Sequence, residues 1–402
     1  MTDEIFNGNF TQQEAVPEAA IARAVEVMRS GRLHRYNTRP GETGETAALE
    51  EEFAARTGAR FALAVASGGY ALACALRAIS IAPGERVLTN AFTLAPVPGA
   101  IVSTGAAPLF VETTPDLVID LEDLEAKAPQ ARVLMLSHMR GHLCDMDRLM
   151  DIARRYDLTV IEDCAHTMGA TWDGVPSGRH GIIGCYSTQT YKHINSGEGG
   201  LLVSDDPVVM ARAILLSGSY MMYPRHRASP APAVFEALKY DTPNISGRMD
   251  NLRAAILRPQ LQDLPAQCAR WGRLYDRLAC GLADCAGIVL PQADRRAVRV
   301  GSSLQFRLKG AGPAQIAGLV SRCLARGVEL KWFGAPEPAG YTSRHDSWRY
   351  TAAQHLPQTD KVLAELVDMR LPLSFSVEDA AQIARIISQE VTRPDGVMQG
   401  QS

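Results

Sequence analysis

The 402-residue sequence has no excess of basic residues, because 41 Lys and Arg are balanced by 44 Asp and Glu for a net charge of −3. Nucleic-acid binding depends on clustered basic charge, so no nucleic-acid partner is expected. No apolar run reaches the roughly 18 residues of a membrane span. The first residues are polar and acidic and lack the basic start and apolar centre of a signal peptide. We therefore expect a cytoplasmic protein without a membrane partner.

The sequence also lacks any C-x-x-C pair. Its eight cysteines are scattered, several of them in apolar stretches, which favours buried thiols in a reducing compartment over disulfides. The composition is 46% hydrophobic and 21% charged. These values exclude a disordered, collagen-like or coiled-coil chain.

Short apolar runs alternate with helical patterns through the first half of the chain. Runs buried on both faces of a sheet and separated by helices are typical of an α/β domain with a mainly parallel sheet. The seven runs span 61–67, 86–90, 107–112, 133–138, 158–163, 183–188 and 200–205.

The length exceeds what one hydrophobic core usually supports, which indicates more than one domain. We predict a large domain over residues 1–260, beginning with a helical segment, and a smaller α+β domain over 261–390. Residues 391–402 are expected to form a disordered tail.

Ligands of α/β proteins bind beyond the carboxyl ends of the strands, so reactive residues there are the first candidates. Gly68 and Gly69 lie between a predicted strand and a predicted helix. Glycines allow close backbone approach, and the helix N-terminus offers free N–H groups to a phosphate. A plain tight turn is the alternative.

Three further strand ends carry candidate groups. Asp163 ends one run and His166 follows, although a helix N-cap with a satisfied histidine would look the same. Lys192 lies among hydroxyl residues before a glycine-rich turn; lysine forms Schiff bases, but it is also a common surface residue. Phe92 could stack on a flat cofactor or pack in the core.

Five ordered segments extend these single signals over nearly the whole chain. The sequence resembles the DegT/StrS family of pyridoxal-phosphate-dependent sugar aminotransferases. The resemblance implies an aspartate-aminotransferase-like fold (fold-type I) with pyridoxal 5′-phosphate as cofactor. It rests on SGGYAL, LSHMRGHLCDMD, VIEDCAHTMGA, CYSTQTYKHINSGEGG and PNISGRMDNLRAAILRPQL.

The resemblance implies a role for each matching residue. Lys192 would bind the cofactor covalently and carry protons. Asp163 would pair with the pyridine nitrogen, and His166 would bind the ring hydroxyl. Phe92 would stack on the ring.

The remaining implied roles concern the phosphate and the partner subunit. Gly68, Gly69 and Ser187 would hold the phosphate. Asn244 would reach it from the neighbouring subunit, so a homodimer with a shared active site is expected. Gly69 replaces the usual threonine of the family, which removes one hydroxyl contact.

The implied function is transfer of an amino group from glutamate or glutamine to a keto-sugar or related cyclic acceptor, in secondary-metabolite or glycan-precursor biosynthesis. Tyr70, Tyr191 and Arg248 are candidate substrate contacts. One alternative is dehydratase-like chemistry on the same fold, in which a histidine replaces the lysine. A non-catalytic sensor is another.

A metal site is the remaining alternative. His138, His142 and Cys144 lie close together in sequence, with Asp145 and Asp147 following. Zinc ligands are of these types, but no second pair completes a set, so no metal is expected.

Overall fold

A computed structural model describes residues 4–39, 41–340 and 342–393. Within these ranges, no helix combines the length and apolar character that crossing a membrane requires. The strands are β1 (Phe61–Val65), β2 (Arg86–Asn90), β3 (Ala107–Val111), β4 (Val133–Ser137), β5 (Thr159–Asp163), β6 (Thr171–Trp172), β7 (Val175–Pro176), β8 (Ile183–Ser187), β9 (Gly200–Ser204), β10 (Ile288–Val289), β11 (Ala297–Val298), β12 (Ser303–Leu308), β13 (Lys331–Trp332) and β14 (Leu366–Arg370).

The central sheet contains seven strands in the order β1-β9-β8-β5-β4-β2-β3. Only β9 within this sheet runs against its neighbours, β1 and β8. Each predicted run forms one of these strands, and β1, β4, β8 and β9 are buried along their whole length. The predicted mainly parallel sheet is therefore confirmed.

Helices cover the central sheet, and α3 packs against both α4 and α7. Polar side chains cap several helix starts: Ser67 accepts from the Tyr70 amide, and Asp145 and Asp206 cap α6 and α7. The helices are α1 (Glu18–Ser30), α2 (Glu45–Thr57), α3 (Gly68–Ala78), α4 (Pro96–Ser103), α5 (Leu121–Lys127), α6 (Met146–Arg155), α7 (Pro207–Ser217), α8 (Pro232–Glu236), α9 (Asn251–Leu282), α10 (Pro313–Ala325), α11 (Pro357–Ala364) and α12 (Val377–Thr392).

A second, antiparallel sheet in the order β10-β12-β14-β13 forms the C-terminal α+β unit. The domain boundary predicted after residue 260 falls inside α9, a 32-residue helix that links the two units. The N-terminus also reaches the C-terminal unit, because the rings of Phe6 and Phe10 pack edge-on against Phe375. The two-domain division remains a prediction.

The predicted disordered tail is wrong at its start, because α12 continues through Thr392. Packing of its apolar face explains this extension, since Val391 is buried in the core around the small sheet. The rest of the predicted tail, from residue 394, lies outside the described residues.

A buried ion pair ties the N-terminal loop to the central sheet. Arg35 donates from both terminal nitrogens to the two carboxylate oxygens of Glu50, each at 2.8 Å, and the Ala64 amide of β1 donates to the same carboxylate. Burial alone would raise the pKa of Glu50, but Arg35 and His226 hold it at about 2. Glu50 is therefore charged in the folded protein.

Replacing Glu50 with Gln should destabilise the fold, since Arg35 would remain buried without a counter-charge. A loss of about 3–5 kcal/mol is expected, measured as the free energy of unfolding in urea. Glu51 is a suitable control because its ion pair with Arg227 is exposed, and its change to Gln should cost at most about 1 kcal/mol. Equal losses in the two variants would contradict the assignment.

Candidate active site

A cavity of about 440 Å³ opens at the carboxyl ends of the central strands and is also lined by residues of the C-terminal unit. The strand order explains its position, because β4, β5 and β8 are neighbours and each ends in a polar residue. Tyr191 lies in the wall. The cavity also brings together six predicted site residues: Gly68, Gly69, Asp163, His166, Ser187 and Lys192.

The start of α3 forms a cradle suited to a phosphate. Gly68 and Gly69 are its first residues, and their amides belong to the free N–H groups of a helix N-terminus. A Cβ at Gly68 would lie 2.8 Å from Cβ of Ser187, whereas one at Gly69 would meet Pro96 at an ordinary 3.8 Å. Of these two positions, only position 68 therefore requires glycine for steric reasons.

Asp163 is a buried carboxylate in the cavity wall at the end of β5. The Ser137 hydroxyl donates to its Oδ2 at 3.0 Å, and the Ala165 amide donates to its Oδ1 at 3.1 Å. Burial raises the pKa of Asp163, although these hydrogen bonds and Lys192 oppose the rise. A buried carboxylate facing a cavity is stabilised by a cation, and a protonated pyridine nitrogen fits this requirement.

Lys192 and His166 meet inside the cavity, with 3.2 Å between Nζ and Nε2. Burial, assisted by Arg140, lowers the pKa of Lys192 to about 7 against the opposing effect of Asp163. Burial and the nearby Lys192 also hold the pKa of His166 well below its usual value. At neutral pH a large share of Lys192 is therefore an uncharged amine beside a neutral imidazole.

Phe92 is not in the cavity wall, which corrects the prediction that its ring stacks on a cofactor. Its side chain is 1% exposed and packs edge-on against Phe333, with ring centroids 5.1 Å apart. The chain turns after β2, so Leu94 lines the cavity instead. Leu94, which the sequence reasoning did not select, is therefore the apolar side chain that this turn contributes to the cavity wall.

Three other predicted residues are absent from the described cavity wall. Tyr70 packs over Gly247, and its hydroxyl donates to the Leu216 carbonyl. Arg248 donates to the Gly218 carbonyl. Asn244 is exposed and accepts from the Ser246 amide. Direct substrate contact by Tyr70 or Arg248 is thus not supported within one chain, whereas an exposed Asn244 is free to face a partner.

The metal alternative finds no support in the geometry. The one group of metal-type side chains within the described residues is His138, Glu162 and Cys164. Glu162 already accepts hydrogen bonds from His138 and from three backbone amides, so its oxygens are fully used. The predicted His142 instead contacts Gln305 through Nε2.

Two arginines in the cavity wall were missed. Arg140 follows β4 inside the motif segment LSHMRGHLCDMD, and Arg370 is the last residue of β14. Asking which polar residue follows each apolar run would have found both.

Comparison with known families agrees with this site. The model of the DegT/DnrJ/EryC1/StrS aminotransferase family matches residues 16–388. The chain belongs to this family. The predicted resemblance is confirmed, and the matched region includes every site residue named above.

Curated relatives of this family member act on different acceptors, as their names show. The L-glutamine:scyllo-inosose aminotransferase of Streptomyces griseus is 30% identical over 272 residues, covering 66% of this chain and 63% of the relative. The dTDP-3-amino-3,4,6-trideoxy-alpha-D-glucose transaminase of Streptomyces venezuelae is 32% identical over 291 residues, covering 70% and 69%. The chain spans about half the length of three further curated relatives that it matches.

Solved structures confirm the fold of this DegT/StrS member. The crystal structure of 3-amino-5-hydroxybenzoic acid synthase matches with a TM-score of 0.79 and 25% identity, covering 95% of this chain and 99% of that one. The predicted fold-type I architecture is therefore confirmed.

Proposed function

We propose that this protein is a pyridoxal-phosphate-dependent aminotransferase that moves an amino group from glutamine or glutamate to a ketone on a sugar or cyclitol. The observation that carries the proposal is the shared cavity, in which an amine with a lowered pKa faces a buried carboxylate beside a helix N-terminus. The family match supports the same activity.

The residues of the cavity fit pyridoxal phosphate group by group. The amides of Gly68 and Gly69 and the Ser187 hydroxyl would hold the phosphate, and Asp163 would keep a proton on the pyridine nitrogen. The neutral His166 would hydrogen-bond the ring oxygen. When bound, the cofactor supplies an electron sink for the substrate carbon that loses its proton.

Lys192 would act as the general base and then as the general acid. Its Nζ, which is uncharged above about pH 7, could take the proton from the substrate carbon and return a proton two atoms away, on the far side of the intervening nitrogen. Leu94 and Pro96 form an apolar part of the cavity wall and would help to exclude water from the reacting atoms. His193 does not serve as the base, because its Nε2 contacts Ser302 and its ring lies edge-on to Trp271.

Two acceptor classes are proposed, because relatives differ in their acceptors. The Streptomyces griseus relative is named for glutamine and scyllo-inosose, and the Streptomyces venezuelae relative for a dTDP-linked sugar. The test supplies L-glutamine with scyllo-inosose or with a dTDP-linked keto-hexose, and detects the amine product by mass spectrometry. Absence of product with every donor and acceptor tried would contradict the proposal.

We also propose a homodimer that completes the phosphate site with Asn244 of the second copy. Asn244 is exposed, and the surrounding segment exposes the apolar side chains of Tyr220, Met221, Tyr240 and Ile245. Mixing Lys192→Ala chains with Asn244→Ala chains should restore activity in hybrid dimers that keep one intact site. No recovery in hybrids would contradict a shared site. Cytoplasmic location stays a prediction.

The pH dependence of cofactor uptake tests the state of Lys192. Schiff-base formation needs an uncharged amine, and burial lowers the pKa of Lys192 to about 7. Since the amine loses its proton as the pH rises, the rate of pyridoxal phosphate uptake by the cofactor-free protein should rise through pH 7 and then level off. Stopped-flow absorbance measures this rate. A rate that climbs tenfold per pH unit up to about pH 10, as for an ordinary lysine, would contradict it.

A further inference from the structure

Asp163 is connected to a residue outside the cavity by a short chain of buried hydroxyl groups. Ser137 Oγ donates to Asp163 Oδ2 at 3.0 Å, and Thr93 Oγ1 donates to Ser137 Oγ at 2.8 Å. Ser137 and Asp163 belong to the cavity wall, whereas Thr93 is 1% exposed and is absent from the described wall. Thr93 can therefore act on the cavity through Ser137 without touching anything that the cavity binds.

The register of the central sheet explains why these residues meet. Ser137 and Asp163 end β4 and β5, and they are paired directly across these two parallel strands. On the other side of β4, the pairing with β2 stops at Thr89 and Met135. The chain turns after β2, and this turn brings Thr93 within hydrogen-bond distance of the Ser137 hydroxyl.

Asn90 holds the backbone of Ser137 at the point where the strand pairing ends. Its Oδ1 accepts from the Ser137 amide at 2.9 Å, and its Nδ2 donates to the Ser137 carbonyl at 2.8 Å. The same Nδ2 donates to the Phe92 carbonyl at 3.1 Å. One buried side chain thus fixes both the residue that contacts Asp163 and the turn that carries Thr93.

The chain of hydroxyl groups has a direction, and this direction favours a charged Asp163. A hydroxyl carries one proton, and an ionised carboxylate can only accept. Among the residues that the structure describes, Thr93 Oγ1 has no hydrogen-bond partner other than Ser137 Oγ, so its proton points there. The Ser137 proton is then left for Asp163, and hydrogen bonds in such a chain strengthen one another.

A protonated Asp163 would fit this chain less well. A proton on Oδ2 would have to be donated to Ser137, which would then turn its own proton toward Thr93. The Thr93 proton would lose its acceptor, and an unpaired buried donor is costly. A proton on Oδ1 would leave Ser137 facing a neutral carbonyl oxygen, which accepts a weaker hydrogen bond than a carboxylate. Thr93 therefore disfavours the neutral form at either oxygen.

Other groups that face Asp163 also act on its charge. Burial raises the pKa of Asp163, and four neighbours oppose this rise: the Ala165 amide, Lys192, Ser137 and His138. The nearby thiols stay uncharged, because burial holds the pKa values of Cys164 and Cys185 well above the usual range. Lys192 loses its own proton near pH 7. Above that pH the hydrogen bonds contribute a larger share of the stabilisation of the carboxylate.

We propose that Thr93 is a positioning residue that keeps Asp163 ionised by directing the Ser137 hydroxyl toward it. The catalytic meaning of this inference rests on the proposed aminotransferase function, in which a charged Asp163 keeps a proton on the pyridine nitrogen. The hydrogen-bond chain itself is made by the protein alone, so it can be tested without cofactor.

The test measures the acidity of Asp163 in the cofactor-free protein, by NMR titration of isotope-labelled aspartate carboxyl groups. The Asp163 signal is the one that is missing in Asp163→Asn. Thr93→Val removes the hydroxyl and keeps the shape of the side chain, so the acid dissociation constant of Asp163 should fall by about three- to tenfold. Thr93→Ser keeps the hydroxyl and should behave as the wild type.

Thr57→Val is the matched control. The Thr57 hydroxyl is also buried, but it donates to the Phe53 carbonyl within α2. Both valine variants lose one buried hydrogen bond, and only Thr93→Val should change the acidity of Asp163. An unchanged Asp163 in Thr93→Val, or a change that Thr93→Ser shares, overturns the proposal and leaves Thr93 a structural residue.

The cofactor-loaded protein separates this inference from the proposed function. Thr93→Val should slow the half-reaction with L-glutamine by about three- to tenfold, in step with the acidity of Asp163. The half-saturating L-glutamine concentration should stay the same, because the Thr93 hydroxyl does not touch the donor. If the acidity of Asp163 follows Thr93 but the wild type reacts with no donor, the function fails and the hydrogen-bond chain stands. A reactive wild type in which the acidity does not follow Thr93 leaves the function intact and overturns the inference.

Discussion

Changing Lys192 to Ala should abolish amino transfer, with a loss of about 10⁴-fold or more in the half-reaction rate. The expectation follows from the position of the Lys192 amine. It contacts His166, and it lies close enough to Asp163 for that carboxylate to affect its pKa. The variant would lose the covalent attachment point and the proton carrier together. Because Nζ is buried at a cost, its removal should not destabilise the fold.

Two measurements check this outcome. The visible absorption band that the wild type acquires with pyridoxal phosphate should be absent in Lys192→Ala, and L-glutamine should produce no spectral change. Lys361→Ala, at an exposed position, should behave as the wild type. Methylamine should restore part of the rate by entering the space left by the side chain. A Lys192→Ala variant that retains the band and the rate would contradict the assignment.

The central sheet and the core of the site could be predicted from the sequence for one physical reason. Strands buried on both faces appear as continuous apolar runs, and the ends of such runs mark the edge where ligands bind. Asp163 and Lys192 follow from this rule together with the rarity of charged groups at buried strand ends. In the structure both residues lie in the wall of one cavity, while their roles stay predictions.

The errors occur where a turn or a distant segment decides which way a side chain points. Phe92 and Leu94 are two residues apart after β2, and the turn sends the aromatic ring into the core with Phe333. No pattern of hydrophobicity distinguishes these two directions. Of these two apolar side chains the larger one, Phe92, is buried, which is the usual preference of phenylalanine.

The arginine pair was missed for a different reason. Arg140 and Arg370 are 230 positions apart and meet only because the small sheet packs against the end of the central one. Contacts of this range depend on tertiary structure and leave no periodic signal along the chain. The position of Asn244, exposed in one chain, depends in the same way on the proposed second copy.

Replacing Asp163 with Asn should separate function from stability. The amide fills the same space and its oxygen can still accept a hydrogen bond from Ser137 or Ala165. It cannot stabilise a proton on the pyridine nitrogen, which removes a buried charge pair of about 3–5 kcal/mol. The half-reaction rate should therefore fall by about 10²- to 10³-fold, while the cofactor still attaches to Lys192.

The stability of the cofactor-free protein should not fall with the rate in Asp163→Asn. Burial raises the pKa of Asp163 above its unfolded value, so the folded protein binds a proton more tightly than the unfolded chain, and the charged form destabilises the fold at neutral pH. A neutral Asn removes this cost, and the melting temperature of the cofactor-free variant should equal or exceed that of the wild type. Asp205→Asn, which breaks an exposed ion pair with Arg179, serves as the control for rate. A slow but more stable Asp163→Asn variant would show that the carboxylate is kept for its chemistry. An unchanged rate would contradict that role, and a lower melting temperature would assign the residue a structural role.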